Sequence, residues 1–159
     1  MRRPLIHAAA LLSVLLHSAS PLYAQRGITT GQSRSPSRSG SVRIADLPWT
    51  DAQRLLDTST IVVIPIGAEA KEHGPHLPLN NDWLLAEYFA KRVSAATRVV
   101  LYPTVNYHFY PSFVEYPGST SLQLATARDV IVDIVRSIAR HGPRRFYILN
   151  TGVSTLRAL

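Results

Sequence analysis

Two histidines, two glutamates and an aspartate fall within fourteen residues of this chain, in Glu69-Ala-Lys-Glu72-His73-Gly-Pro-His76-Leu-Pro-Leu-Asn-Asn-Asp82. Imidazole and carboxylate groups together suit zinc, manganese or iron, and the chain has no cysteine to offer a thiolate. His73 and Asp82 lie nine positions apart, so the loop must fold back to bring them onto one ion. Gly74, Pro75 and Pro78 are the turn formers that would make it rigid. The plainer reading is a polar connection in which His73 only meets a backbone group.

The element that must position this cluster is the apolar run Ile61-Val-Val-Ile-Pro-Ile66 immediately before it. Residues 60–66 read as a strand buried on both faces, which puts the cluster at its carboxyl end, where ligands bind in open α/β sheets. Thr50 is the expected cap of a short helix with Leu55 and Leu56 turned inward. Asn81 or Asp82 caps a second helix to about Val93, with Leu85, Tyr88, Phe89 and Val93 at helical spacing. Residues 99–102 form a second strand ended by Pro103. A loop of about twenty residues follows, rich in aromatics, and loops of that length in compact domains are usually functional or disordered. Leu124 to Arg140 is a long amphipathic helix with Ala127, Ile131, Ile134, Val135 and Ile138 on one face, stopped by His141-Gly142-Pro143. Phe146 to Leu149 is a third strand. Alternating strands and helices imply parallel pairing with right-handed crossovers, and an α/β fold.

The beginning of the chain is of another kind. Residues 1–24 have a positive start (Arg2, Arg3), an apolar stretch from Leu5 to Leu16 and a small residue at Ala24, the three parts of a secretory signal. The expected location is therefore exported, periplasmic or secreted, with no stable membrane association after cleavage; Leu22 three residues before the cut, where Ala is more usual, leaves an uncleaved anchor as the alternative. Residues 25–45 read as a flexible basic linker rich in Ser, Gly, Thr and Arg. Six of the 17 basic residues precede residue 46 and all ten acids lie at or beyond it, which leaves 11 basic and 10 acidic groups from there on. The pI of 10.2 thus reports the signal and linker, and a nucleic-acid partner is not expected.

Four stretches in order carry a family resemblance: Pro65-Ile-Gly-Ala, His73-Gly-Pro-His76-Leu-Pro with Asp82, Tyr116-Pro-Gly-Ser-Thr-Ser-Leu122, and Ile138-Ala-Arg-His-Gly-Pro-Arg-Arg before a strand ending in Asn150. Over nearly all of residues 44–159 the chain resembles the creatininase family of metal-dependent amidohydrolases. The resemblance implies a three-layer α/β sandwich with a mostly parallel sheet, of which 46–159 would be the N-terminal portion, the C-terminal part missing. It also implies two bound divalent ions (zinc first, manganese as an alternative), a small amide or cyclic amide as substrate, a metal-bound water as nucleophile, and a homo-oligomer, often a hexamer.

Residue by residue, the resemblance makes His73 the metal-binding histidine and Asp82 the carboxylate between the metals. The family's glutamate, two residues before its histidine, falls on Lys71; Glu72 or Glu69 would then supply the carboxylate, with Glu72 preferred. The expected metal set is Glu72, His73 and Asp82. Gly152, in Asn150-Thr-Gly152-Val-Ser-Thr155, stands where the family carries a further metal-binding histidine. His76 is expected to orient the loop, His108 to be a packed core histidine, Glu115 an exposed loop acid and His141 a helix-end residue. Ser154 and Thr155 lie in no G-x-S-x-G elbow, which excludes a serine hydrolase. Two further readings stand beside the hydrolase: a catalytically inactive binding or assembly module, and a truncated, non-functional fragment.

Overall fold

The run Ile61–Ile66 forms the centre of the sheet, and every residue from Val62 onward is buried, as a strand covered on both faces requires. A computed structural model describes residues 40–159; the expected signal and residues 25–39 of the expected linker lie outside these residues. The elements are β1 (Val42–Arg43), α1 (Trp49–Leu55), β2 (Ile61–Ile66), α2 (Asn81–Ala96), β3 (Val100–Leu101), α3 (Leu124–Ala139) and β4 (Arg145–Asn150). Among the described residues no helix is long and apolar enough to cross a membrane.

All strand pairs are parallel, in the order β1-β3-β2-β4. Successive side chains of β2 point to opposite faces and fill two cores. Val63 packs with Ala90, Val99 and Leu101 under α2, and Val62 and Ile64 pack with Ile138, Ile134 and Val135 under α3. Helix, sheet and helix make the expected three layers. β1 was not foreseen: Val42 and Arg43, in the stretch read as linker, pair with Val100 and Leu101.

Three helix expectations need correction: α2 begins at Asn81, with Asn80 and not Asn81 or Asp82 in the cap position, and two more concern α1 and the facing of α2. α1 begins at Trp49, with Pro48 and not Thr50 in the cap position, and the Pro48 carbonyl accepts from Asp51 and Ala52. α2 turns inward the narrow stripe Asp82, Ala86 and Ala90, while Leu84, Leu85, Tyr88 and Phe89 face outward. The cause is close approach. Gly67, directly after β2, lies so near the helix that a Cβ there would meet the Asp82 carbonyl oxygen and come within 2.7 Å of the Ala86 Cβ. Only small residues fit between helix and sheet at that separation. α3 follows the expected face, with Ala127, Ile131 and Ile138 buried, and ends where Gly142 takes φ +121°.

Candidate functional site

Beyond β2 the chain stays in register with the aromatic loop. Gly67 N–H donates to the Val105 carbonyl at 3.1 Å, and the Ala70 carbonyl accepts from the backbone N–H of Thr120 at 2.9 Å and from its hydroxyl at 3.1 Å. Lys71 N–H donates to the Leu79 carbonyl at 3.1 Å, and Glu72 N–H to the Ser119 hydroxyl at 2.9 Å. Ser121 accepts from Tyr110 N–H at 2.9 Å. The Ser-Thr-Ser segment after Gly118 therefore ties the histidine loop and the aromatic loop together. Gly118 takes φ +90°, and a Cβ there would come within 2.7 Å of the Leu79 Cδ1.

These ties converge on one buried charge pair. The Lys71 ammonium donates to the Asp82 carboxylate, each side chain only 10% exposed. Asp82 sits in the first turn of α2, where the helix dipole favours a negative charge. The ammonium also lies 5.0 Å from the centre of the Phe113 ring and 5.7 Å from that of Tyr110, within cation–π range of both. His73 Nε2 lies 3.7 Å from the other Asp82 oxygen, buried and without a hydrogen-bond partner. Burial first, and the Lys71 charge in addition, hold the His73 imidazole below its usual pKa, against the opposing pull of Asp82 and Glu72. Burial, with the Asp82 charge adding to it, pushes the Tyr110 phenol above its usual range.

Of the residues expected to hold a metal, His73 and Asp82 come together at β2's carboxyl end. Glu72 has one carboxylate oxygen engaged by Gly74 N–H at 2.5 Å. Glu69, the alternative, is exposed and accepts from the Asn106 amide at 2.6 Å. Among the described residues no three His, Asp or Glu side chains gather as a metal-ligand group. The donor set does not fit a divalent ion, since a cation of the chain's own already neutralises Asp82. Lys71 entered the sequence reading only as a mismatch. It is the only Lys or Arg between Arg54 and Lys91, the one signal that marked it.

The remaining candidates have simpler places. His76 and Glu115 are exposed loop residues, and His141 is exposed beyond the end of α3. His108 is fully buried, but neither ring nitrogen has a hydrogen-bond partner. Near Gly152, Asn150 braces a turn, its amide donating to the Gly152 carbonyl at 2.7 Å and its oxygen accepting from the Thr155 hydroxyl at 2.5 Å. The Thr151 hydroxyl reaches the carbonyls of Ile66 and Asp82 at 3.0 and 3.3 Å, fastening β4 to the cluster's base. A groove of about 610 Å³ bordered by Trp49, Leu56, Tyr102 and His141 shares no residue with this cluster. Its lining offers no comparable set of buried polar groups, so the cluster is the better candidate site.

A parallel three-layer sandwich with a polar cluster beyond its central strand defines an α/β protein of the type that places chemistry at strand ends. The creatininase family model, described as creatinine amidohydrolase, matches residues 45–154, and the chain belongs to that family. It is 32% identical over 118 residues to the creatinine amidohydrolase of Pseudomonas putida, covering 70% of this chain and 45% of that protein. It is 25% identical over 119 residues to a mycofactocin precursor peptide peptidase of Mycobacterium tuberculosis, covering 69% and 47%. Among solved structures, a mutant creatininase complexed with creatine superposes with a TM-score of 0.66 at 28% identity, covering 74% of this chain and 48% of that one. A zinc-type mutant creatininase gives 0.64 at 27% identity, covering 76% and 49%, and a manganese form gives 0.61 at 30%, covering 68% and 44%. The chain spans about half the length of the curated relatives it matches.

Proposed function

We propose that the protein acts on a carbon–nitrogen bond of a small amide or cyclic amide, as a creatininase-like hydrolase, with the substrate held over the end of β2. The observation that carries this reading is the buried cluster of Lys71, His73, Asp82 and Tyr110 at that strand end, in a chain 32% identical to a creatinine amidohydrolase. Tyr110 and Phe113 of the aromatic loop flank the Lys71 ammonium, and the buried Nε2 of His73 has no hydrogen-bond partner within the chain, which leaves one polar atom of the cluster unmet. No step is assigned to a metal ion, because the residues present do not form a ligand set for one. Export, read from residues 1–24, and self-association, implied by the resemblance, belong to the same proposal. Amino-terminal sequencing of the mature protein and light scattering of the purified chain test them.

A second reading, a binding module without turnover, is favoured by the ion pair that occupies Asp82 and by Gly152 in place of a histidine. Incubating the full chain with creatinine and simple lactams separates the two. Ring opening above a His73→Ala control supports the hydrolase. Calorimetric binding without ring opening supports the module, and neither binding nor turnover overturns both.

A further inference from the structure

Lys71 stands at the centre of the cluster and has no role in any reading of the site as a metal centre. Its ammonium is set against the Asp82 carboxylate and faces the Phe113 and Tyr110 rings, in a place where both charged side chains are nine-tenths buried. Its backbone is fixed on both sides, by Lys71 N–H on the Leu79 carbonyl and by Thr120 on the Ala70 carbonyl. The pocket is thus shaped for a cation that the chain itself provides.

We propose that Lys71 is a built-in cation that takes the place of a divalent ion beside Asp82 and His73, and that it closes this site to metal. A divalent ion arriving at Asp82 meets a fixed positive charge at short range, in surroundings that screen it poorly. It also finds one carboxylate already neutralised and one imidazole, and among the described residues no third His, Asp or Glu gathers with them, one Glu72 oxygen being held by Gly74 N–H and one Glu69 oxygen by Asn106. Metal sites are selected by ligand number and geometry, and this set falls short on both. The inference goes beyond the proposed hydrolase and is independent of turnover, since it is read from bound metal alone.

The test uses the full chain, loaded with zinc or manganese, desalted and analysed by plasma mass spectrometry. The native chain is expected to retain no more metal than a His73→Ala, Asp82→Ala control. Lys71→Glu, which exchanges the cation for a third donor, is expected to retain a stoichiometric amount that is lost again when His73→Ala is added. Circular dichroism establishes that each variant is folded. Should Lys71→Glu not fold, Lys71→Met removes the charge with less disturbance, and calorimetric titration with zinc is expected to show at least about tenfold tighter binding than native. Stoichiometric metal in the native chain that disappears in the control would overturn the proposal. So would folded Lys71 variants that gain no metal affinity, for then something other than the lysine closes the site.

Discussion

Removing one partner of the Lys71–Asp82 pair is expected to cost far more than removing a surface ion pair, and the two partners are expected to differ. Asp82→Asn leaves the ammonium nine-tenths buried with no counter-charge. Breaking a buried pair in this way costs about 3–5 kcal/mol, whereas an exposed pair contributes roughly 0–1 kcal/mol. The aromatic faces of Phe113 and Tyr110 offset part of this, on the order of 1–2 kcal/mol, because cation–π contacts strengthen on desolvation. Loss of a charge favoured by the α2 dipole adds about 0.3–1 kcal/mol. The expected net cost is about 3 kcal/mol. With a urea slope of about 2 kcal/mol per molar, the unfolding midpoint moves down by roughly 1.5 M. Lys71→Met leaves the carboxylate with the helix amino terminus and is expected to cost less. The double variant Lys71→Met, Asp82→Leu is expected to lose less than the two single changes together, because a buried pair is often replaced by apolar residues at little cost. Urea unfolding followed by circular dichroism, in chelator, measures all three. A cost below about 1 kcal/mol for Asp82→Asn would place the pair in the exposed class and refute this reasoning.

Gly67→Ala is expected to cost about 1–3 kcal/mol by forcing α2 away from β2, measured as a lowered thermal midpoint. Ile64→Ala, at the fully buried centre of the sheet, is expected to cost about 2–5 kcal/mol in the same assay. Burial holds His108 below its usual pKa, so the native state keeps it neutral while the unfolded chain protonates it near pH 6.5. Its stabilising effect is complete above that pH and is lost as pH falls below it, at no more than about 1.4 kcal/mol per pH unit. Urea midpoints between pH 7 and 5 are expected to fall less steeply in His108→Leu than in the native chain, with His73 supplying a remaining slope of the same sign. Gly152→His alone is expected to recruit no zinc, and combined with Lys71→Glu to bind it more tightly than Lys71→Glu alone, read by calorimetry.

The central strand, the long helix α3 and its stop at Gly142 were legible because each rests on local pattern: a continuous apolar run, a helical stripe, a glycine before a proline. The facing of α2 was not. Leu85, Tyr88 and Phe89 have the spacing of a core stripe, but how near a helix comes to a sheet decides which stripe turns inward, and here Gly67 draws it close enough for Ala86 and Ala90. β1 is two residues long and owes its existence to β3, not to its own composition. In the site, the loop and the pairing of His73 with Asp82 followed from residue type and position. Lys71 did not, because its partner lies eleven residues away across a loop whose path is set by Ser119, Thr120 and Ser121. Glu72 was equally opaque: the resemblance preferred it to Glu69 as the carboxylate donor, while the turn at Gly74 engages one of its oxygens.

The most direct measurement is a crystal structure of the full chain grown with manganese or zinc, with anomalous diffraction recorded at the metal's absorption edge. The account predicts Lys71 density against Asp82, flanked by Phe113 and Tyr110, and no anomalous peak between Asp82 and His73. An anomalous peak bonded to both of those residues, with the Lys71 side chain displaced from Asp82, would contradict it.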